Sequence, residues 1–196
     1  NKEQRSSLLN VVIVGGGPTG VELAGAIAEM KKKILPKDYV EINFGHMHIH
    51  LLEAAPRLLN GMSSQSGNTV VEYLNGLGVE VQTNTAVKDY DGETISLSNG
   101  KTIHSRCLIW AAGVKGVSIP GIPTGSAAAN NRILVNQYNL VKDLPRVYAI
   151  GDIALMQDKL LPKGHPQVAQ VAIQQARLLA KNLQKIESGK PLIAFQ

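Results

Sequence analysis

Cysteine is nearly missing from this chain of 196 residues, where Cys107 stands alone. An intramolecular disulfide and a C-x-x-C redox pair are thereby excluded. The run Cys107-Leu108-Ile109-Trp110 reads as a buried strand in which the thiol is a small apolar group. Aromatic residues make up 4%, and no stacking motif of an RNA-binding sheet is present, which argues against nucleic acid as a partner. No apolar run reaches the roughly 18 residues of a membrane span, and the first residues lack a signal-peptide core. The chain is therefore expected to be soluble and suited to a reducing interior, with any membrane contact peripheral or made by sequence outside it. The net charge is only +5. Its one dense run, Lys31 to Lys33 with Lys37, suits a solvated helix C-terminus that complements the helix dipole. A hydrophobic share of 44% is that of a chain with a buried core, and the length allows one large or two small domains.

What the sequence does have is glycine in a pattern. Val11-Val12-Ile13-Val14 is a β-branched run suited to a parallel strand covered on both faces, and Gly15-Gly16-Gly17-Pro18-Thr19-Gly20 follows at once. Gly15, Gly17 and Gly20 fall on the G-x-G-x-x-G spacing. The first permits a tight turn, the second a close approach of backbone to pyrophosphate, and the third close helix–strand packing. Leu23, Ala24, Ile27 and Ala28 then recur at helical spacing, so the first N–H groups of that helix face the phosphates. An acidic residue should close the second strand and accept hydrogen bonds from a ribose diol. Glu53, ending His48-Ile49-His50-Leu51-Leu52-Glu53, supplies it, further along than the compact spacing of about 20 residues. Its charge opposes a 2′-phosphate and favours NADH over NADPH. Arg57 is the counter-argument, since a nearby guanidinium can accommodate that phosphate.

The coarse pattern alternates. A strand at 11–14 leads to a helix at 19–33 broken at Pro36, a strand at 47–53, a helix at 65–77 ending at Gly78, and a strand at 79–82. A hairpin-like pair spans 87–104, with Asp91-Gly92 and Asn99-Gly100 as turns, before a strand at 107–111. The fold class is α/β: a Rossmann-type nucleotide-binding domain, 1–114, with an antiparallel meander replacing one crossover. Residues 115–131 read as a connection by composition. Strands at 132–135 and 146–150 and a helix at about 166–187 follow, too little for an independent core.

At this level the sequence resembles the type II NADH:quinone oxidoreductases, the single-subunit, non-proton-pumping NADH dehydrogenases among the pyridine nucleotide-disulfide oxidoreductase-like flavoproteins. The resemblance rests on Val12 through Gly25, Leu52-Glu53-Ala54-Ala55-Pro56-Arg57-Leu58-Leu59 and Trp110-Ala111-Ala112-Gly113-Val114. It continues through Val147-Tyr148-Ala149-Ile150-Gly151-Asp152 and Ala169-Gln170-Val171-Ala172-Ile173-Gln174. It implies cofactors NADH and FAD, and a membrane quinone as electron acceptor. It also implies that 115–196 is the second part of a discontinuous FAD-binding domain. The chain is expected to be a fragment lacking a first FAD motif and a membrane-associating C-terminal segment. The parent would sit on the cytoplasmic face of the membrane, and the resemblance allows a homodimer.

By that resemblance, Gly15 to Gly20 including Gly16, Pro18 and Thr19, together with Glu53, Ala112 and Gly113, hold NADH. Asp152, after Gly151, bonds the FAD ribitol hydroxyls; an aspartate after glycine also suits a turn cap. Gln170 and Gln174, four apart on one helix face, line the quinone pocket, and exposed glutamines would show the same spacing. Ala169, Ala172, Ala176 and Ala180 form a small-residue stripe open to a flat ring or to core packing. The start of that helix can offer its dipole to a reduced flavin. Glu22 is placed near nicotinamide and flavin, with helix N-terminal charge as the simpler reading. His46, His48 and His50 alternate, but no third ligand type stands nearby, so no metal is expected. Two other readings stay open. One is a related NAD(P)H-dependent FAD reductase serving ferredoxin, a peroxide or a disulfide, the last disfavoured by the lone Cys107. The other is a non-catalytic nucleotide-sensing module.

Overall fold

The computed structural model describes residues 7–196 and divides after Gly113 into two compact units. The first is built on four parallel strands: β1 (Asn10–Val14), β2 (His48–Leu52), β3 (Val79–Gln82) and β7 (Cys107–Trp110). Their order is β3-β2-β1-β7, the order of a Rossmann half-sheet. Val14 pairs with Leu52 on one side and Trp110 on the other, so the C-terminal ends of three strands meet around the residues that follow Val14.

Both faces of this sheet are covered, which is why β1 is apolar from Val11 to Val14. Ile13, Ile49 and Leu51 face helices α1 (Pro18–Lys33) and α2 (Ser64–Gly76) and are fully buried. Gly20, Ala24 and Ala28 are the buried residues of α1; small side chains four apart let the helix axis lie close to the strands. Val12, Val14 and Leu52 face the other way, onto Ile95 and Leu97. Each fully buried Ile or Leu is worth roughly 1.5–3 kcal/mol, so these two layers dominate the unit's stability. Ser63 caps α2, its Oγ accepting from Ser66 N at 3.1 Å, and Gly78, in the left-handed region at φ 85°, ends the helix as expected.

The expected hairpin at 87–104 is a three-stranded antiparallel sheet of its own: β4 (Val87–Tyr90), β5 (Thr94–Leu97) and β6 (Thr102–His104). It stands where a crossover helix would be. Asp91 Oδ1 accepts from Glu93 N at 2.8 Å and Thr94 N at 2.7 Å, and these bonds hold its carboxyl below the usual range. His46 is not on β2 but in a 3-10 turn, Phe44–His46.

The second unit, Val114–Gln196, departs more from the pattern. Residues 115–131 are not a loose connection: Ser126 is buried, its Oγ donating to Lys142 O at 2.7 Å, and Ala127 bridges Ile133. The strand expected at 146–150 does not form. Asn139, Asp143 and Arg146 all adopt positive φ, so the chain keeps reversing and makes single bridges, Val135 to Val141 and Leu140 to Tyr148. The partner of β8 (Ile133–Val135) is instead β9 (Ala154–Met156), in parallel. Helix α3 runs Ala169–Glu187, three residues later than the periodicity suggests, because Val168 is still extended.

Candidate functional site

The C-terminal ends of β1, β2 and β7 open into a cleft of about 680 Å³. Gly15, Gly16, Gly17, Pro18, Thr19, Glu53, Ala112 and Gly113 all line it. Gly15 has φ 115°, and a Cβ there would lie 2.6 Å from the Ala111 carbonyl carbon; its N–H donates to Leu52 O at 2.8 Å. A Cβ on Gly20 would collide with the Gly15 carbonyl oxygen, so Gly20 serves packing from behind the turn and does not line the cleft. Gly17 is different. It has ordinary extended dihedrals, and a Cβ there would meet nothing within 4 Å. The fold therefore does not need glycine at 17.

Helix α1 starts at this point with no side-chain cap, no acidic residue in its first turn and Pro18 at its first position. Val21 N–H is the first taken up, by Gly17 O at 3.0 Å, which leaves the preceding N–H groups and the positive helix end facing the cleft. Glu53 stands beside the turn. Its Oε2 accepts from Gly16 N at 2.5 Å and its Oε1 from Ala55 N at 2.7 Å, and its main chain is fixed by Gln82 O and Thr85 N. A half-buried carboxylate with one bond on each oxygen retains lone pairs for two vicinal hydroxyls. Arg57 and Thr85 line the same cleft; of these the sequence pattern pointed only to Arg57. Glu22 lies outside the cleft lining, exposed on the second turn of α1.

In the second unit the structure brings Gly151 and α3 together. Gly151, at φ 71°, donates its N–H to Gln175 Oε1 at 2.7 Å and abuts Ala172. Asp152 follows in a 3-10 turn, Gly151–Ile153, which no side chain caps. Its carboxylate is exposed and accepts no hydrogen bond among the described residues, so it is not a turn cap. Ala169, Gln170 and Gln174 are exposed on one side of α3, and of the alanine stripe only Ala172 is half-buried.

The residue that organises this region, Arg132, was not legible from any motif. It is 6% exposed, and its guanidinium donates to Asp152 O at 3.0 Å, Ala154 O at 2.6 Å and His165 O at 3.3 Å. Burial pushes its pKa down from the ordinary value, with Asp152 opposing. Gln175 did leave a signal: Val171, Ala172, Leu178 and Leu179 bracket position 175 at helical spacing, which puts it on the inner face. His48 and His50 share one carboxylate, with Nδ1 atoms 3.0 and 3.2 Å from Glu80 oxygens. Among the described residues no group of three metal-ligating side chains is arranged to hold an ion.

The sequence pattern of the pyridine nucleotide-disulphide oxidoreductases matches residues 1–176, and this chain belongs to that family. It is 34% identical over 199 residues to the type II NADH:quinone oxidoreductase Ndh of Mycobacterium tuberculosis, covering 95% of this chain and 41% of that protein. It is 32% identical over 197 residues to the type II NADH:quinone oxidoreductase of Haemophilus influenzae, covering 96% and 42%. The chain thus spans about two fifths of the length of these curated relatives. Its fold superposes on NDH2 from Plasmodium falciparum, solved in complex with NADH, with a TM-score of 0.85 and 21% identity over 100% of this chain and 56% of that one. No helix among the described residues is long and apolar enough to cross a membrane.

Proposed function

We propose that the cleft of the first unit binds NADH, with residues 1–114 as the nucleotide domain and 115–196 as part of an FAD-binding domain. In a polypeptide of the relatives' length, the chain would then serve a flavin-dependent NADH:quinone oxidoreductase. The observation that carries the reading is the pairing of Gly17, whose missing side chain the fold does not require, with Glu53, held in place beside it. When bound, NADH supplies a hydride and FAD accepts it, a transfer that needs alignment and no protein acid or base.

The chain's own residues position the partners. The N–H groups at the start of α1 take the pyrophosphate, and Glu53 accepts the ribose hydroxyls and repels a 2′-phosphate. The uncapped Asp152 carboxylate supplies acceptors for the FAD ribitol chain. The exposed Gln170 and Gln174 amides supply donors for quinone carbonyls, while Glu22, exposed outside the cleft lining, takes no part in holding the nucleotide. A longer polypeptide of this kind would contact the membrane on its cytoplasmic face, and the reading allows a homodimer.

Calorimetry on the 196-residue chain tests the reading. NADH should bind, NADPH more weakly, and Glu53→Gln should lower NADH affinity about tenfold while narrowing the gap between the two. Unchanged affinity for both would remove Glu53 from the site. In the longer protein, Gln170→Ala and Gln174→Ala should each slow flavin reoxidation by quinone several-fold, about 1 kcal/mol per lost bond, and spare reduction by NADH. Equal slowing of both half-reactions would make the glutamines structural.

A further inference from the structure

Trp110 is the chain's single tryptophan, and it is 60% exposed while lining the nucleotide cleft. It is paired in register with Val14, which puts it on the sheet face that carries Val12, Val14 and Leu108 into the core with the antiparallel sheet. Those neighbours are covered, and Trp110 is the next position of the same row, at the strand end where the row runs into the cleft. A large ring left wet at the lip of a cleft is surface that a ligand can bury.

The strand order adds a direction. Glu53 follows β2 and Trp110 ends β7, so they stand on opposite sides of β1 and the glycine turn. A dinucleotide whose pyrophosphate sits on that turn must send one nucleoside toward each side. Glu53 selects the adenosine ribose, which leaves the β7 side to the other half. We infer that Trp110 is a positioning residue for the nicotinamide half of NADH, its ring forming the apolar wall against which that nucleoside packs. The inference rests on the proposed NADH reading and names a contact that Glu53 and the glycine turn do not supply.

Because the tryptophan is unique, its emission reports on Trp110 alone, and the contact itself is read from the Trp110 variants. NADH should quench it and accept its energy, giving dihydronicotinamide emission on tryptophan excitation, whereas ADP-ribose should leave it unchanged. By calorimetry Trp110→Ala should weaken NADH about tenfold and leave ADP-ribose unaffected, with Trp110→Phe recovering most of the loss. Glu53→Gln should weaken both ligands alike. Binding of NADH with no quenching, or equal weakening of NADH and ADP-ribose by Trp110→Ala, overturns the inference while the NADH reading stands. Failure of the wild-type chain to bind either ligand overturns both.

Discussion

The two units hold a short chain together with a different balance of apolar and polar burial. The unit ending at Gly113 buries aliphatic side chains on both faces of a parallel sheet, with Ile13, Ile49, Leu51 and Leu52 at 0% exposure. The unit from Val114 has two three-residue strands and a smaller apolar cluster around Ile133, Val135, Val141 and Met156, to which it adds the buried polar side chains Arg132, Asn139, Gln175 and Asn182. In α3 the only buried residues are Gln175 and Asn182, while Ile173, Leu183 and Ile186 remain exposed. Apolar packing is non-directional and tolerates small changes. A core of side chains bonded to main-chain groups is directional, and loss of one member strands its partners.

The sharpest way to break the comparison is at the glycine turn. Gly20→Ala should cost at least about 3 kcal/mol in urea unfolding, because the added methyl collides with the rigid main chain at Gly15. Gly17→Ala should stay within about 1 kcal/mol of wild type yet lose NADH binding by calorimetry. Equal destabilisation by both would make the turn purely structural.

Next in size, Arg132→Met leaves three carbonyls without their shared donor and should cost about 3 kcal/mol. Hydrogen exchange should accelerate in residues 132–156 and not in β1 or β2. Uniform acceleration across the chain would deny the units separate stabilities.

The smallest effect concerns His50, a buried residue paired in register between Val12 and Glu80. Burial lowers its pKa below 6.5, Glu80 opposes and His48 adds to the fall. A histidine depressed in the folded state is protonated first in the unfolded chain. Its contribution is therefore complete above about pH 6.5 and is lost as the pH falls through the unfolded value toward the folded one. Urea midpoints should drop between pH 7.5 and 5.5, and Glu80→Gln should deepen that drop. A shallower drop in the variant would overturn the direction assigned to Glu80.

The first unit was almost wholly legible because its signals are local and periodic. Val11 to Val14 announces a doubly covered strand, and Gly15, Gly17 and Gly20 announce the turn. The Asp91-Gly92 and Asn99-Gly100 pairs mark reversals at φ 102° and 82°. In the second unit the determinants act at a distance. Arg132 reaches carbonyls 20, 22 and 33 residues away, and no spacing rule encodes such a reach. The strand expected at 146–150 has the right apolar content, but the left-handed residues before it decide its path. Among the candidate site residues the nucleotide set converges because its members flank strand ends. Glu22, Gln170 and Gln174 were chosen by resemblance, and this chain alone gives their side chains no common cleft.

The clamp on Glu53 has a kinetic meaning as well. A glutamate side chain free in water surrenders up to about 2 kcal/mol of rotamer entropy when it is fixed. Here that loss is incurred during folding, when Gly16 N and Ala55 N seize the two oxygens. On the proposed reading, a nucleotide arriving at the cleft would meet an acceptor already aimed, and the ribose encounter would resemble docking onto a rigid template more than the closing of a loop. The bond from Gly16 N also ties the end of β2 to the glycine turn, which makes the stiffness of Glu53 a by-product of strand pairing.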